Sequence, residues 1–290
     1  MAATSLEDRA LLQFDRLLKE GELLWTENSP RRIEGEPFDF EFRVSASLQS
    51  KPQDREQSKS TSSHAFPDSD GDWTLGNINH THKLILNKFC VMRPQFVLPT
   101  LEFQPQKDPL NAHDFQAGWD VLTQLPPHSY MMIFNCGIDA GSSVGHKHLQ
   151  IIPQAQPHPK NFLQLLKKDE AAGYHTVPSC PFRHAAYALR DLDQTTTTIS
   201  GPNLEKIYSQ FAHTLDMKPE QAHNVILTHE YLLLIPRTKA WIQVGEEASS
   251  KISANAAAMM GLVYSWSEEQ FRSYLEFGPM RALGEMGVKV

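Results

Sequence analysis

The sequence predicts an α+β protein built on an antiparallel sheet with flanking helices. Short apolar runs of strand length crowd the middle of the chain. Helical periodicity is confined to stretches that flank or separate those runs. There is no regular strand–helix–strand rhythm and no repeat at a solenoid period.

The first helical stretch covers residues 5–20, where Leu6, Leu11, Leu12, Phe14, Leu17 and Leu18 recur at helical spacing. FDFEFRVSASL (38–48) alternates apolar and polar residues and reads as a strand. Residues 49–72 are polar, poor in aliphatics, and read as an exposed, partly mobile loop. HKLILNKFCVMRPQFVLP (82–99) reads as one or two strands around Pro94. Residues 111–125 read as a helix opened by Asn111 or its neighbours and closed before Pro126-Pro127. SYMMIFNCG (129–137) is a buried strand ending in glycine, and HKHLQIIPQ (146–154) is the next strand. The glycine-rich connection makes this pair a hairpin with an enlarged loop.

Residues 159–172 read as helical or irregular, and 175–190 as further strand. A helix is expected over 204–217, capped near Asn203. HNVILTHEYLLLIPRT (223–238) reads as two strands around a turn at His229-Glu230, and two helical stretches follow. The tract DLDQTTTTISGPN (191–203) marks the expected boundary between portions 1–190 and 191–290.

At 290 residues, 40% apolar and 21% charged, the chain has the composition of an ordinary globular protein with a real core. Its net charge of −7 gives no global basic field for nucleic acid or an acidic membrane. No apolar run reaches the roughly 18 residues of a membrane span, and the first residues lack the basic and apolar regions of a secretory signal. Cys90, Cys136 and Cys180 are odd in number and widely spaced, without a C-x-x-C pair. That pattern fits a reduced, cytoplasmic protein in which each cysteine packs as a small apolar side chain.

The most informative stretch is GIDAGSSVGHKHLQIIP (137–153). On a strand, His146, His148 and Gln150 share one face, and Lys147, Leu149 and Ile151 share the other. Imidazole near neutral pH is both a nucleophile and a proton carrier. Gly141, Ser142, Ser143 and Gly145 let main-chain amides and hydroxyls approach an anion. Two histidines at this spacing could also bind zinc, but two further ligands at plausible spacing are lacking nearby. An exposed polar loop edge is the remaining reading of the residues alone.

His146-Lys147-His148-Leu149-Gln150 resembles the His-x-His-x-Gln motif of the histidine triad and galactose-1-phosphate uridylyltransferase superfamily. With the preceding GSS and the N-x-G of Asn135 to Gly137, it is most similar to the fungal-type diadenosine tetraphosphate phosphorylases, also called ATP adenylyltransferases. FRVSASLQSKP, LNKF, RPQFVL, PFRH and HNVILTHEYLLLIPR resemble that family in the same order. The resemblance covers most of the chain but not residues 53–75 and 155–175. The ordered set is more specific than the five-residue motif.

The resemblance implies a histidine-triad/uridylyltransferase-like fold of two α+β portions forming one transferase unit. It implies that His148 attacks the α-phosphorus, releases ATP and carries an adenylyl group that inorganic phosphate then removes as ADP. His146 would orient or hydrogen-bond the phosphate. Gln150 stands where the hydrolase branch has a third histidine. An amide cannot shuttle a proton, which favours transfer to an anionic acceptor over hydrolysis. Lys51 would contact the polyphosphate, with Asn87, Lys88, Asn135 and the loop Gly141, Ser142, Ser143 and Val144 as further contacts. Without the resemblance, the lysines read as surface residues and the asparagines as turn caps.

Near the C-terminus the family's asparagine persists as Asn255, but Ala258 replaces a glycine and Trp266 a lysine. A cationic contact is lost or exchanged for stacking there. Trp266 and the nearby methionines are expected to pack in the core. The implied partners are small-molecule nucleotides and inorganic phosphate, with no tightly bound cofactor. A divalent cation such as Mg2+ would accompany the substrate to screen its charge. Oligomeric state is not encoded legibly. Two rival functions remain: a hexose-1-phosphate uridylyltransferase with the same His148 chemistry, and a nucleotide-binding module without turnover.

Overall fold

A computed structural model describes residues 4–50, 66, 71–170, 173–192, 198–245 and 251–290. In chain order it holds α1 (Leu6–Lys19), β1 (Arg31–Ile33), β2 (Phe40–Val44), β3 (Thr74–Ile78), β4 (His82–Leu86), β5 (Phe96–Pro99) and α2 (Ala112–Leu122). Then follow β6 (Tyr130–Cys136), β7 (His148–Pro153), β8 (Lys167–Asp169), β9 (Tyr174–Thr176), β10 (Ala185–Ala188) and α3 (Gly201–Thr214). The last elements are β11 (His223–Leu227), β12 (Tyr231–Pro236), β13 (Trp241–Gln243), β14 (Lys251–Ser253), α4 (Ala256–Met259), β15 (Leu262–Ser265), α5 (Glu268–Phe277) and α6 (Pro279–Met286).

Ten strands form one sheet in the order β3-β4-β5-β7-β6-β11-β12-β10-β9-β8, antiparallel throughout. Strands from either side of 191–203 alternate within it, since β6 pairs with β11 and β10 with β12. One face packs on α1, α2 and α3 through Phe14, Phe115, Phe134, Leu149, Ile151 and Tyr208. The opposite face packs on β2, β15 and α4 through α6, with Phe38, Phe42, Ile133, Ile152, Leu233 and Tyr274 in that core. With both faces covered, all seven residues of β6 are buried, which explains its apolar run from Tyr130 to Phe134.

Local signals set the helix starts. Ser5 accepts from Asp8 N to open α1, and Asn111 and Asp114 form a reciprocal capping box at α2. Helix α3 begins at Gly201 after Ser200, not near Asn203, and ends at Thr214. Pro202 serves in its first turn, where no N–H is needed.

The strand expected over 38–48 is shorter, and its residues Phe40 to Arg43 are all buried. It pairs in parallel with β15 and antiparallel with β1, and its Glu41 and Arg43 form an internal ion pair at 2.7 Å. Alternation therefore marks two buried faces there, not one. Residues 159–172 hold a short 3-10 turn at Leu163–Leu165 and strand β8. Most of the loop expected over 49–72 lies outside the described residues.

Candidate active site

The β6–β7 ladder ends at Ile133↔Gln150. Beyond it the strands part to hold the 137–147 loop, and the side chain of Gln106 fills the opening. Its Oε1 accepts from His148 N at 2.8 Å, and its Nε2 donates to Asn135 O at 2.9 Å. One buried amide thus replaces a missing ladder rung and fixes the start of β7. The regular strand begins at His148 rather than His146, and His146 joins only an isolated bridge with Pro105.

Face alternation holds across the motif. Leu149 and Ile151 enter the helix-side core, and Lys147 turns the same way. Lys147 Nζ donates to Asp114 Oδ2 at 2.6 Å and to Pro109 O at 2.8 Å, while His82 Nε2 lies 3.1 Å from Asp114 Oδ1. Burial pushes the Asp114 carboxyl up, but His82 and Lys147 outweigh it and hold it below the usual carboxylate range.

On the other face, His148 is 7% exposed, and its Nδ1 lies 2.8 Å from the carbonyl of His146. A carbonyl only accepts, so Nδ1 carries the proton and Nε2 keeps the lone pair. His146 Nε2 is 2.9 Å from Thr100 Oγ1, whose own hydrogen goes to Glu102 O at 2.7 Å. The Phe66 ring lies 5.5 Å from the His146 ring and 5.4 Å from that of His148.

The loop is anchored from the C-terminal part of the chain. Gly141 has φ +96, and a Cβ there would come within 3.0 Å of Ala254 O and Asn255 Cα, so only glycine fits. Asn255 caps α4 by accepting from Ala258 N at 3.1 Å. Asn135 Oδ1 accepts from Ala256 N and from Asn224 Nδ2, both at 2.9 Å. What Asn135 retains to offer an anion is its Nδ2. The amides of Gly141 and Ser142 turn to Ile138 O and Gly137 O, and Ser142 Oγ donates to Val144 O at 2.9 Å. The carbonyls of Val144 and Gly145 are also taken, by Ser142 Oγ and Gln106 N, so what Ser143 to Gly145 can offer an anion is their N–H groups.

Beneath this loop lies Arg237, fully buried. It donates to Asn224 Oδ1 at 2.6 Å and to the carbonyls of Ala254, Lys239 and Met286. Burial lowers its guanidinium to about 10, which leaves it charged at neutral pH. Sequence reasoning singled out none of Gln106, Asn224 and Arg237. A polar Asn224 inside an apolar strand was the available signal, and Gln106 offered none.

The structure brings His146, His148, Gln150, Asn135, the Gly141–Val144 loop and Asn255 together. Asn87 and Lys88 stand apart. Asn87 N donates to Gln95 O, four residues along the sheet from the Pro99↔His148 pair, or about 13 Å. The Asn87 side chain accepts from Phe89 N at 3.0 Å, as a turn cap does. Lys51 lies outside the described residues. Ala258 and the adjoining Met259 and Met260 are core residues, whereas Trp266 is half-buried beyond β15.

All three cysteines are free and buried, and burial pushes each thiol up to about 12. None of them is a thiolate at neutral pH. Among the described residues, no three His, Cys, Asp or Glu side chains group as a metal site.

The Ap4A phosphorylase N-terminal domain family matches residues 1–165, and the ATP adenylyltransferase C-terminal domain family matches residues 178–289. The chain is 27% identical over 222 residues to Protein APA1 of Saccharomyces cerevisiae, a match covering 69% of this chain and 66% of that protein. It is 24% identical over 270 residues to diadenosine 5',5'''-P1,P4-tetraphosphate phosphorylase 2 of the same yeast, covering 83% and 82%. The crystal structure of yeast Ap4A phosphorylase Apa2 shares the fold with TM-score 0.80 at 20% identity, over 100% of this chain and 99% of that one. Its complex with Ap4A gives TM-score 0.78 at 21% identity, over 100% and 99%.

Proposed function

The chain belongs to the Ap4A phosphorylase family, and we propose that it cleaves diadenosine tetraphosphate with inorganic phosphate to ATP and ADP by reversible adenylyl transfer. The observation that carries this reading is the His148 Nδ1–H bond to His146 O, which puts the proton on Nδ1 and makes Nε2 the nitrogen with the lone pair.

In the first step Nε2 of His148 attacks the α-phosphorus. A P–N bond forms, the bond to the bridging oxygen breaks, and ATP departs as an anion that needs no proton. Positive charge builds on the ring, and the His146 carbonyl at Nδ1 stabilises it. In the second step an oxygen of inorganic phosphate attacks the same phosphorus, the P–N bond breaks, and ADP leaves. His148 returns with its lone pair. Two displacements replace one difficult one.

The roles of the surrounding residues follow from their groups. Asn135 Nδ2, Gln150 and the main chain of Ser143 to Gly145 hold the phosphoryl oxygens. Asn255 sets the loop through its contact with Gly141. His146 acts through its carbonyl. Asn87 and Lys88, about 13 Å along the sheet, serve the nucleoside or the chain's far end rather than the reacting phosphorus. Lys51, outside the described residues, is assigned the polyphosphate contact that the family resemblance implies. Gln150 has no group that titrates near neutral pH, so water gains no general base from it.

A divalent cation bound to the tetraphosphate would screen its charge and arrive with it. The buried, unpaired cysteines suit a reducing compartment, and we place the enzyme in the cytoplasm. The comparisons give no support to the hexose-1-phosphate uridylyl reading. Incubation with α-labelled diadenosine tetraphosphate without phosphate tests the scheme. Acid-labile label should attach to the protein, persist in His113→Ala, and be absent in His148→Ala. Equal labelling of the two variants would remove His148 as the nucleophile.

A further inference from the structure

The strand registers place a lysine in line with the nucleophile. His82↔Thr100 and Ile85↔Val97 bracket Lys83 opposite Pro99, and Pro99 pairs with His148. Lys83, Pro99 and His148 therefore form one row across β4, β5 and β7. Residues directly opposite in a ladder point to the same face. The alternation along β4 agrees. His82 reaches Asp114 on the helix side, and Leu84 and Leu86 enter the helix-side core. Lys83 between them faces the His148 side.

Two strand spacings separate Lys83 from His148, about 10 Å. The residue between them is a proline, whose compact ring puts no long side chain in the way. A flexible four-carbon stem and two or three phosphoryl units can together bridge that gap. Lys83 is only 6% exposed, so it is not a solvated surface lysine. The motif's own Lys147 is turned away to Asp114, and Asn135 and Gln150 are neutral. The row thus adds formal positive charge to a face that must receive a highly anionic chain.

Building on the phosphorolysis reading, we propose that Lys83 binds the phosphoryl groups beyond the scissile bond and stabilises the departing nucleoside triphosphate. It contacts the leaving group's second and third phosphoryl units, not the phosphorus that His148 attacks. A lysine in this role matters when the leaving group is a triphosphate and little when it is a single phosphate. The enzyme's own second half-reaction, run as ADP–phosphate exchange, supplies that comparison, because there the group leaving ADP is inorganic phosphate.

The test compares wild type, Lys83→Gln and Lys83→Arg in two assays, diadenosine tetraphosphate phosphorolysis and exchange of labelled phosphate into ADP. Lys83→Gln should lose about 30-fold in kcat/KM for the tetraphosphate and about threefold or less in exchange. Lys83→Arg should recover most of the loss. Equal losses in both assays, or none in either, would overturn the proposal. So would a Lys83→Gln chain that fails to fold together with a folded Lys83→Arg chain showing equal losses. A wild type active in exchange but not on the tetraphosphate would overturn the phosphorolysis reading instead.

Discussion

His148 donates its Nδ1 hydrogen to the main-chain carbonyl of His146 at 2.8 Å. That one bond fixes the tautomer, and with His148 as the proposed nucleophile it gives the two histidines of the motif unequal work. His148 contributes its ring. His146 contributes a carbonyl that any residue would possess, plus a ring tied to Thr100.

The two histidines should therefore respond differently to truncation. His148→Ala removes the nucleophile, and phosphorolysis should fall by at least about 10⁴-fold. His146→Ala keeps the carbonyl and loses only the ring's anchoring, so a loss of about 10- to 100-fold is expected. Steady-state rates of the two purified variants decide this. Equal losses would mean that the His146 ring itself takes part in the chemistry.

Gln150 should control the choice of acceptor. Gln150→His puts a proton carrier where an amide stood, and water should begin to compete with phosphate for the adenylyl group. The measurement is the ratio of AMP to ADP at fixed phosphate. An unchanged ratio would mean that acceptor choice lies elsewhere, in the loop or in the exclusion of water.

Gln106 should matter although it touches no reacting atom. Its amide joins His148 N to Asn135 O. Gln106→Ala leaves both groups unpaired in a buried place, at a cost of roughly 2 kcal/mol in stability. It should also loosen the ring by enough to lower kcat about 100-fold. Gln106→Glu keeps the acceptor but not the donor and should fall between. Urea unfolding and single-turnover adenylylation separate the two effects.

Much of this was legible in the sequence. Asn111 and Pro126-Pro127 marked α2. The turn at His229-Glu230 fell between β11 and β12 as expected. The face alternation of residues 146–151 matched the buried sides of β7. The parallel pairing of β2 with β15 was not legible, because it joins residues more than 200 positions apart, and period alone does not reveal such partners. Arg237 was hidden for a related reason. It follows an apolar strand, where arginine usually marks the surface. Only its partners, Asn224 Oδ1 and the carbonyls of Lys239, Ala254 and Met286, make it an internal post.

Acid should destabilise the fold through His223. This ring lies between Gln221 O and the Tyr208 hydroxyl, each at 2.7 Å, and burial lowers its pKa to about 4. In the unfolded chain it titrates near pH 6.5. The unfolded state thus binds more protons between those values, and stability falls as pH drops from 6.5 towards 4. The loss from this group should approach roughly 3 kcal/mol. His223→Gln should flatten the fall in urea midpoint between pH 7 and pH 4.5. A fall as steep as that of wild type would place the acid sensitivity in other groups.

The central claim is that an adenylyl group passes through His148 to phosphate rather than to water. Phosphorolysis of diadenosine tetraphosphate in labelled inorganic phosphate tests it most directly. Label should appear in the β-phosphoryl group of ADP, with one ADP for each ATP and no such product from His148→Ala. Unlabelled AMP as the main product, or label in ADP from His148→Ala, would contradict it.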